Sequence, residues 1–264
     1  RFYLASLKAW TEAFAGISDA HTFEYYCDQV LFRGMYPFLP EVILDDMRVY
    51  ETHGIESHMV LQVGGASIPP EHNLLLFARA AWDRRLTADK FIRETAGRVS
   101  PAQPGEWESF LRRRGDVFQR AMRMCAYDPA IYLDYRWLPE TTGAFGREMA
   151  RTYRSSARLL EALGGGLVRS AGEGAPGPAR AVAEAEYLRS RYEAAELVVM
   201  AFQQDAANAL GSYYGTGAEI RLEQALDALA QARAALGEAK KRAKEARLPE
   251  SYYFFSLKNW LDKE

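Results

Sequence analysis

The chain has 264 residues, of which 48% are hydrophobic and 26% charged, a composition that supports a folded core and excludes disorder as the default state. Its 33 basic and 35 acidic residues leave a formal net charge of -2, so no global field draws in nucleic acid. No stretch approaches the roughly 18 consecutive apolar residues of a membrane span, and neither nucleic acid nor membrane is expected as a partner.

Leu4, Leu7, Trp10 and Phe14 recur at helical spacing and predict a first helix over residues 3–14, with Gly16 after it. The chain begins at Arg1 inside this amphipathic pattern, without an initiator Met, and a preceding segment is expected. Thr22 to Asp28 is dense in β-favouring residues and reads as a strand, with Phe23, Tyr25 and Cys27 on one face and Glu24, Tyr26 and Asp28 on the other. Pro40 then opens a short helix through Ile43, Met47 and Tyr50, and Gly54 stops it. Ile55 to Val63 is β-rich again and leads, through Gly64, Gly65, Pro69 and Pro70, into a helix over residues 71–82. This β-α alternation predicts parallel strands with right-handed crossovers, the unit of α/β sheets and barrels.

Strand signals nearly vanish after residue 100. Trp107, Phe110 and Phe118 mark one helix, and Met149, Tyr153 and Leu160 another. Ala185, Leu188, Tyr192, Ala195, Val199, Phe202, Ala206 and Ala209 form a heptad seam. After a break at residues 211–217, Leu222, Leu226, Leu229, Ala232, Leu236 and Ala239 repeat that pattern. The stretch from Gly164 to Pro178 reads as a loop within the bundle. The expected fold class is therefore mixed α/β, then mainly α: a partial (β/α) barrel segment over residues 1–100, followed by a helical bundle over residues 101–264.

The run HNLLLFARAAWDRRLTADKFIRE, His72 to Glu94, resembles a segment of bacterial proteins that carry the uncharacterised domain DUF4838, relatives of α-glucuronidases and hexosaminidase-type barrels. FEYYCDQ at Phe23 to Gln29 and LDDMRVYETHGIESHMVLQVG at Leu44 to Gly64 follow in matching order. The resemblance implies the C-terminal part of a glycosidase-like barrel plus its helical tail, with several strands supplied by an upstream segment or a second subunit.

Glycoside cleavage needs two carboxyl groups about 5–10 Å apart, one protonated and one ionised. Glu24 and Asp28, near the C-terminal end of the first strand, are the candidate catalytic acids; pairing with an arginine such as Arg33 is the plainer role for them. Tyr26, His58, Gln62 and His72 are the candidate sugar contacts. Gln62 stands where the resembling family carries an acid, which weakens the case for catalysis, and His58 and His72 also suit packed core positions. Four scattered histidines and two cysteines, Cys27 and Cys125, form no metal pattern. No cofactor is implied. The run Lys240, Lys241, Arg242 and Lys244 reads as a solvated helix face, and the aromatic stretch from Tyr252 to Trp260 is expected to dock on the bundle or on another subunit. The functional expectation is a glycoside hydrolase-like protein acting on a carbohydrate ligand, and the alternative is a non-catalytic helical interaction or assembly module.

Overall fold

A computed structural model describes residues 2–15, 20–28, 32, 35–63, 72–125, 143–172 and 177–246. In chain order they form α1 (Phe2–Ala13), β1 (His21–Asp28), α2 (Pro40–Thr52), β2 (Ser57–Val63), α3 (His72–Trp82), α4 (Ala88–Val99), α5 (Pro104–Cys125), α6 (Gly143–Ala171), α7 (Gly177–Thr216) and α8 (Glu219–Glu245). The run of residues 64–70, Arg33, Gln29 and the stretch from Tyr252 to Trp260 lie outside the described residues.

The expected fold class is overturned. The described residues make eight helices and a single two-stranded parallel sheet, a mainly helical architecture rather than a segment of a barrel. The β-α alternation between residues 21 and 82 is real, but it builds only one strand pair. One continuous apolar core runs from Tyr26 and Phe38 through Phe91 and Phe118 to Leu160 and Ala201, so the sheet is embedded in the helical body.

Local chemistry sets the element ends. Pro40 occupies the first turn of α2, where its missing N–H costs nothing. Gly54 closes that helix at φ 72°, with its N–H on the Glu51 carbonyl and the Ile55 N–H on the Tyr50 carbonyl; glycine enters this left-handed region without a Cβ penalty. The Thr87 side chain accepts from the Lys90 N–H and caps α4. Phe91, Ile92, Thr95 and Ala96 form the buried stripe of α4, an element that the chain-order reading passed over.

The strand pair carries an irregularity with consequences for the site. Glu24 pairs with Val60, but Cys27 pairs with Gln62, so three steps on β1 span two on β2. This is a bulge. Tyr26 and Cys27 are consequently both buried.

The long helices pack tightly. α6 runs unbroken through the three glycines expected to begin a loop and ends at Ala171; likewise α7 continues to Thr216 across the expected break. Gly164 is where α6 and α7 nearly touch: a Cβ there would lie 2.9 Å from Ser190 Cβ and 3.1 Å from Tyr187 Cα. Along α8, Ala225, Ala228, Ala232, Leu236, Ala239 and Ala243 are buried, whereas Leu222 and Leu226 of the expected seam face solvent, because an alanine face lets the two axes approach more closely. Arg242 donates to the Arg191 carbonyl at 3.1 Å and pairs with Glu161 at 3.4 Å, which ties the three helices at one end. Among the described residues no helix is long and apolar enough to cross a membrane.

The glycine run separates two physical effects. Gly164→Ala should lower stability by about 1–2 kcal/mol through overpacking. Gly166→Ala, whose Cβ would meet only the mobile end of Arg169 at 4.0 Å, should raise it by roughly 0.5–1 kcal/mol through helix propensity. Denaturant titration of both variants checks the opposed signs.

Candidate functional site

The face of the sheet that meets α2 carries a cluster of ionisable side chains. Tyr26 donates its hydroxyl to Asp46 Oδ2 at 2.5 Å, and Tyr50 donates to Glu24 Oε1. Thr22 Oγ1 and His58 Nδ1 share a hydrogen bond of 2.9 Å, and the His58 ring lies 5.5 Å from that of Tyr50 and 6.4 Å from that of Phe77. Two carboxyls, two phenols and an imidazole therefore meet where a strand pair crosses one helix. Asp46 and Tyr50 are four residues apart on α2, hence on one helical face, and Glu24 and Tyr26 present themselves to it from β1.

Both carboxyls are pushed above the usual carboxylate range. For Glu24 the leading cause is burial, with the Asp46 charge adding to it and the Tyr50 and Tyr26 hydroxyls opposing it. For Asp46 burial again leads, opposed by the Tyr26 hydroxyl and helped by Asp45. The two phenols are raised as well, by burial first and then by the carboxylates they touch. Burial lowers His58, which favours the neutral ring. Among the described residues no lysine or arginine forms an ion pair with Glu24 or Asp46.

His58 also lines a surface groove of about 290 Å³ between α2, the start of β2 and the end of α3, together with Leu44, Met47, Arg48, Glu51, Ile55, Glu56, Ala80, Ala81, Asp83, Arg84 and Leu86. Half of these residues are charged or ionisable. The groove opens at the N-terminal end of the strands, opposite to the end expected of a barrel site.

Of the residues singled out in the sequence, Glu24, Tyr26 and His58 come together here. His72 does not: it is fully buried at the start of α3, its ring 5.6 Å from that of Phe38, and neither ring nitrogen has a hydrogen-bond partner. The side chains of Asp28 and Gln62 lie outside the described ones. Asp46 and Tyr50 were missed; the signal available was their shared four-residue spacing on a helix that already buries Ile43 and Leu44. Asn73, beside His72, clamps the bulged strand: its Nδ2 donates to the Tyr26 and Pro37 carbonyls at 2.9 and 2.6 Å, and its Oδ1 accepts from the Leu39 N–H at 3.1 Å.

A second polar cluster lies deep in the helical body. Arg114 is 1% exposed and Glu193 is fully buried; they pair at 2.7 Å, Arg114 also donates to the Tyr36 carbonyl at 3.1 Å, and the Tyr36 N–H donates to Glu193 at 2.9 Å. Arg189 pairs with Glu186 at 3.0 Å and lies over the Tyr36 ring. Burial raises the Glu193 carboxyl against the pull of both arginines. Among the described residues no group of three or more His, Cys, Asp or Glu side chains is placed to hold a metal ion.

No protein-family model, curated protein or solved structure matches this chain.

His72 gives the site region a pH dependence of definite sign. Burial, the first cause, with help from Arg189 and Arg114, lowers it from 6.5 to about 4. Between those values the unfolded chain binds the proton and the folded protein does not. Stability from this residue is therefore complete above pH 6.5 and lost as pH falls toward 4. His72→Leu should flatten that limb and, by removing two buried nitrogens without partners, raise stability at pH 7 by about 1–2 kcal/mol. Urea melts at pH 7.5 and 4.5 check both.

Proposed function

We propose that this chain acts on a carbohydrate as a glycoside hydrolase-like protein or as part of one, with Glu24 and Asp46 as its acid–base carboxyl pair and His58 and Tyr26 around them. The observation that carries this reading is two neighbouring carboxyls, both raised, both held by tyrosine hydroxyls and neither paired with a cation among the described residues. A carboxyl that holds its proton more tightly than a solvated acid can donate it to a leaving oxygen, while an ionised neighbour activates water or stabilises developing positive charge. The resemblance of His72 to Glu94, of Phe23 to Gln29 and of Leu44 to Gly64 to the DUF4838 family supports the same reading. The side chain of Asp28, the partner expected from sequence, lies outside the described ones, and Asp46 is the carboxyl that the described residues bring to Glu24.

The opposite face of the sheet supports the participation of a further segment or subunit. Phe23, Tyr25 and Met59 are 46%, 42% and 55% exposed there, and Phe23 sits directly across from Met59. Parallel strands are ordinarily covered on both faces, so an apolar cover contributed by another segment fits this side.

One observation favours a second reading, the helical interaction module: Leu222 and Leu226, four residues apart on one face of α8, are both exposed, which suits a partner helix. Turnover separates the two. With a panel of aryl glycosides, Glu24→Gln and Asp46→Asn should each reduce kcat by about 10²–10⁴-fold with unchanged circular dichroism. Equal turnover in wild type and both variants would remove the acid–base assignment.

A further inference from the structure

A groove of about 260 Å³ runs between α5 and α6 and shares no residue with the carboxyl cluster or with the groove beside His58. Glu106, Ser109, Phe110 and Arg113 line it from α5, at the spacing of one helical face. Leu163, Gly166, Leu167 and Arg169 line it from α6. Phe110, Leu163 and Leu167 belong to the buried core, so the floor is apolar. Glu106, Ser109, Arg113 and Arg169 are exposed along the walls.

The two arginines enter the groove from opposite ends, because the helices run antiparallel. Gln103, at the entry to α5, donates to the Ser170 carbonyl near the end of α6 at 2.8 Å, whereas Arg114 and Gly164, farther along each helix, both meet Ser190 of α7. Helical side chains lean toward the N-terminus of their own helix, which carries Arg113 toward Ser109 and Arg169 toward the same stretch from the other side. For Arg169 the lean is explicit: Nη1 lies 3.3 Å from where a Cβ on Gly165 would sit, and Nη2 lies 4.0 Å from that of Gly166. Glycine is a poor helix former. Gly164 is needed for the approach of α7, but at Gly165 and Gly166 the nearest group is this guanidinium, which rests where side chains would otherwise stand.

Among the described residues neither Arg113 nor Arg169 takes part in an ion pair, unlike Arg112, Arg151 and Arg180, which are held by Glu108, Glu148 and Glu184 at 2.8, 2.7 and 2.9 Å. With Glu106 the lining carries two positive charges and one negative, so a monoanion balances it and a second negative charge would meet Glu106. The guanidinium fork matches a carboxylate, and Glu106 and Ser109 can accept from a hydroxyl or an ammonium. A volume below the roughly 300–1,000 Å³ of most ligand pockets calls for a small molecule. We propose that this groove binds a small organic monocarboxylate that also bears a hydrogen-bond donor, a hydroxy acid or an amino acid, its carboxylate on Arg113 and Arg169 and its donor on Glu106 or Ser109. The site stands independently of the carbohydrate reading.

The test is titration of the full chain with glycerate and with serine, read by calorimetry and by the arginine Nε–H resonances in nitrogen-15 NMR. Acetate, which lacks the donor, and inorganic phosphate, which carries more charge, are the comparisons. Glycerate or serine should occupy one site per chain, shift two arginine resonances and bind more tightly than either comparison. Tighter serine assigns the donor as an ammonium on Glu106, and tighter glycerate as a hydroxyl. Arg113→Gln and Arg169→Gln, exposed positions whose fold is verified by circular dichroism, should each weaken binding about tenfold or more, whereas Arg151→Gln, elsewhere on α6, should leave it unchanged. Failure of both probes to bind, binding unaltered in both groove variants, or phosphate bound more tightly than either probe would overturn the assignment. Glu24→Gln should bind as wild type does, so the loss of the acid–base pair and the loss of this site are read separately.

Discussion

Everything on the sheet side of this protein hangs from one buried ion pair. Arg114 of α5 and Glu193 of α7 pair at 2.7 Å in the absence of solvent, and both bind the backbone of Tyr36 from opposite sides. Through Tyr36 the segment leading into α2 is fixed to the two helices. The guanidinium also stacks over Phe118 at 5.0 Å, which joins the charge to the apolar core rather than isolating it. Taking both charges out of water costs several kcal/mol, and their attraction roughly offsets that. Removing either partner alone would strand the other and cost about 3–5 kcal/mol, so the pair specifies how the sheet segment is seated more than it adds to stability.

Asn73 continues that fixation from the helix side. Its three hydrogen bonds reach the Tyr26 carbonyl, the Pro37 carbonyl and the Leu39 N–H, groups that the β1 bulge and the proline-flanked turn leave without ladder or helix partners. A bulge normally loosens a strand, and here an amide takes up the released carbonyl. Tyr26 is thereby held with its ring against Phe77 and its hydroxyl on Asp46. Placement of the carboxyl cluster thus depends on a side chain that does not belong to it.

What the sequence made legible follows from local chemistry. Pro40, Gly54 and the β-branched and aromatic runs marked α2, β1 and β2 because each of those signals acts within a few residues. The bulge was not legible, since it depends on the register against β2, and with it came the burial of both Tyr26 and Cys27. The glycines at 164–166 read as a loop because their propensity is poor; only the approach of Ser190 and Tyr187 explains why helix wins at Gly164. Glu186, Arg189, Glu193 and Glu196 lie off the heptad seam that the sequence marks on α7. Their burial follows from α7 being covered by both α6 and α8, which no single-helix pattern reveals. Extrapolating two β-α units to a barrel mistook a local rule for a global one.

The two buried polar clusters differ in a way that bears on function. In the helical body Glu193 faces Arg114, and Glu186 faces Arg189; each acid is matched by a fixed cation, and for Glu193 that pull opposes the upward shift that burial imposes. At the sheet, the partners of Glu24 and Asp46 among the described residues are phenol hydroxyls. A neutral donor stabilises a carboxylate less than a guanidinium does, and burial outweighs it for both acids. Their charged and neutral forms are consequently brought closer in free energy at neutral pH than those of a solvated acid. Structural burial of charge would be better served by one arginine. Two acids held by phenols and raised by burial keep a proton available for exchange, and that is the property a hydrolytic carboxyl pair requires.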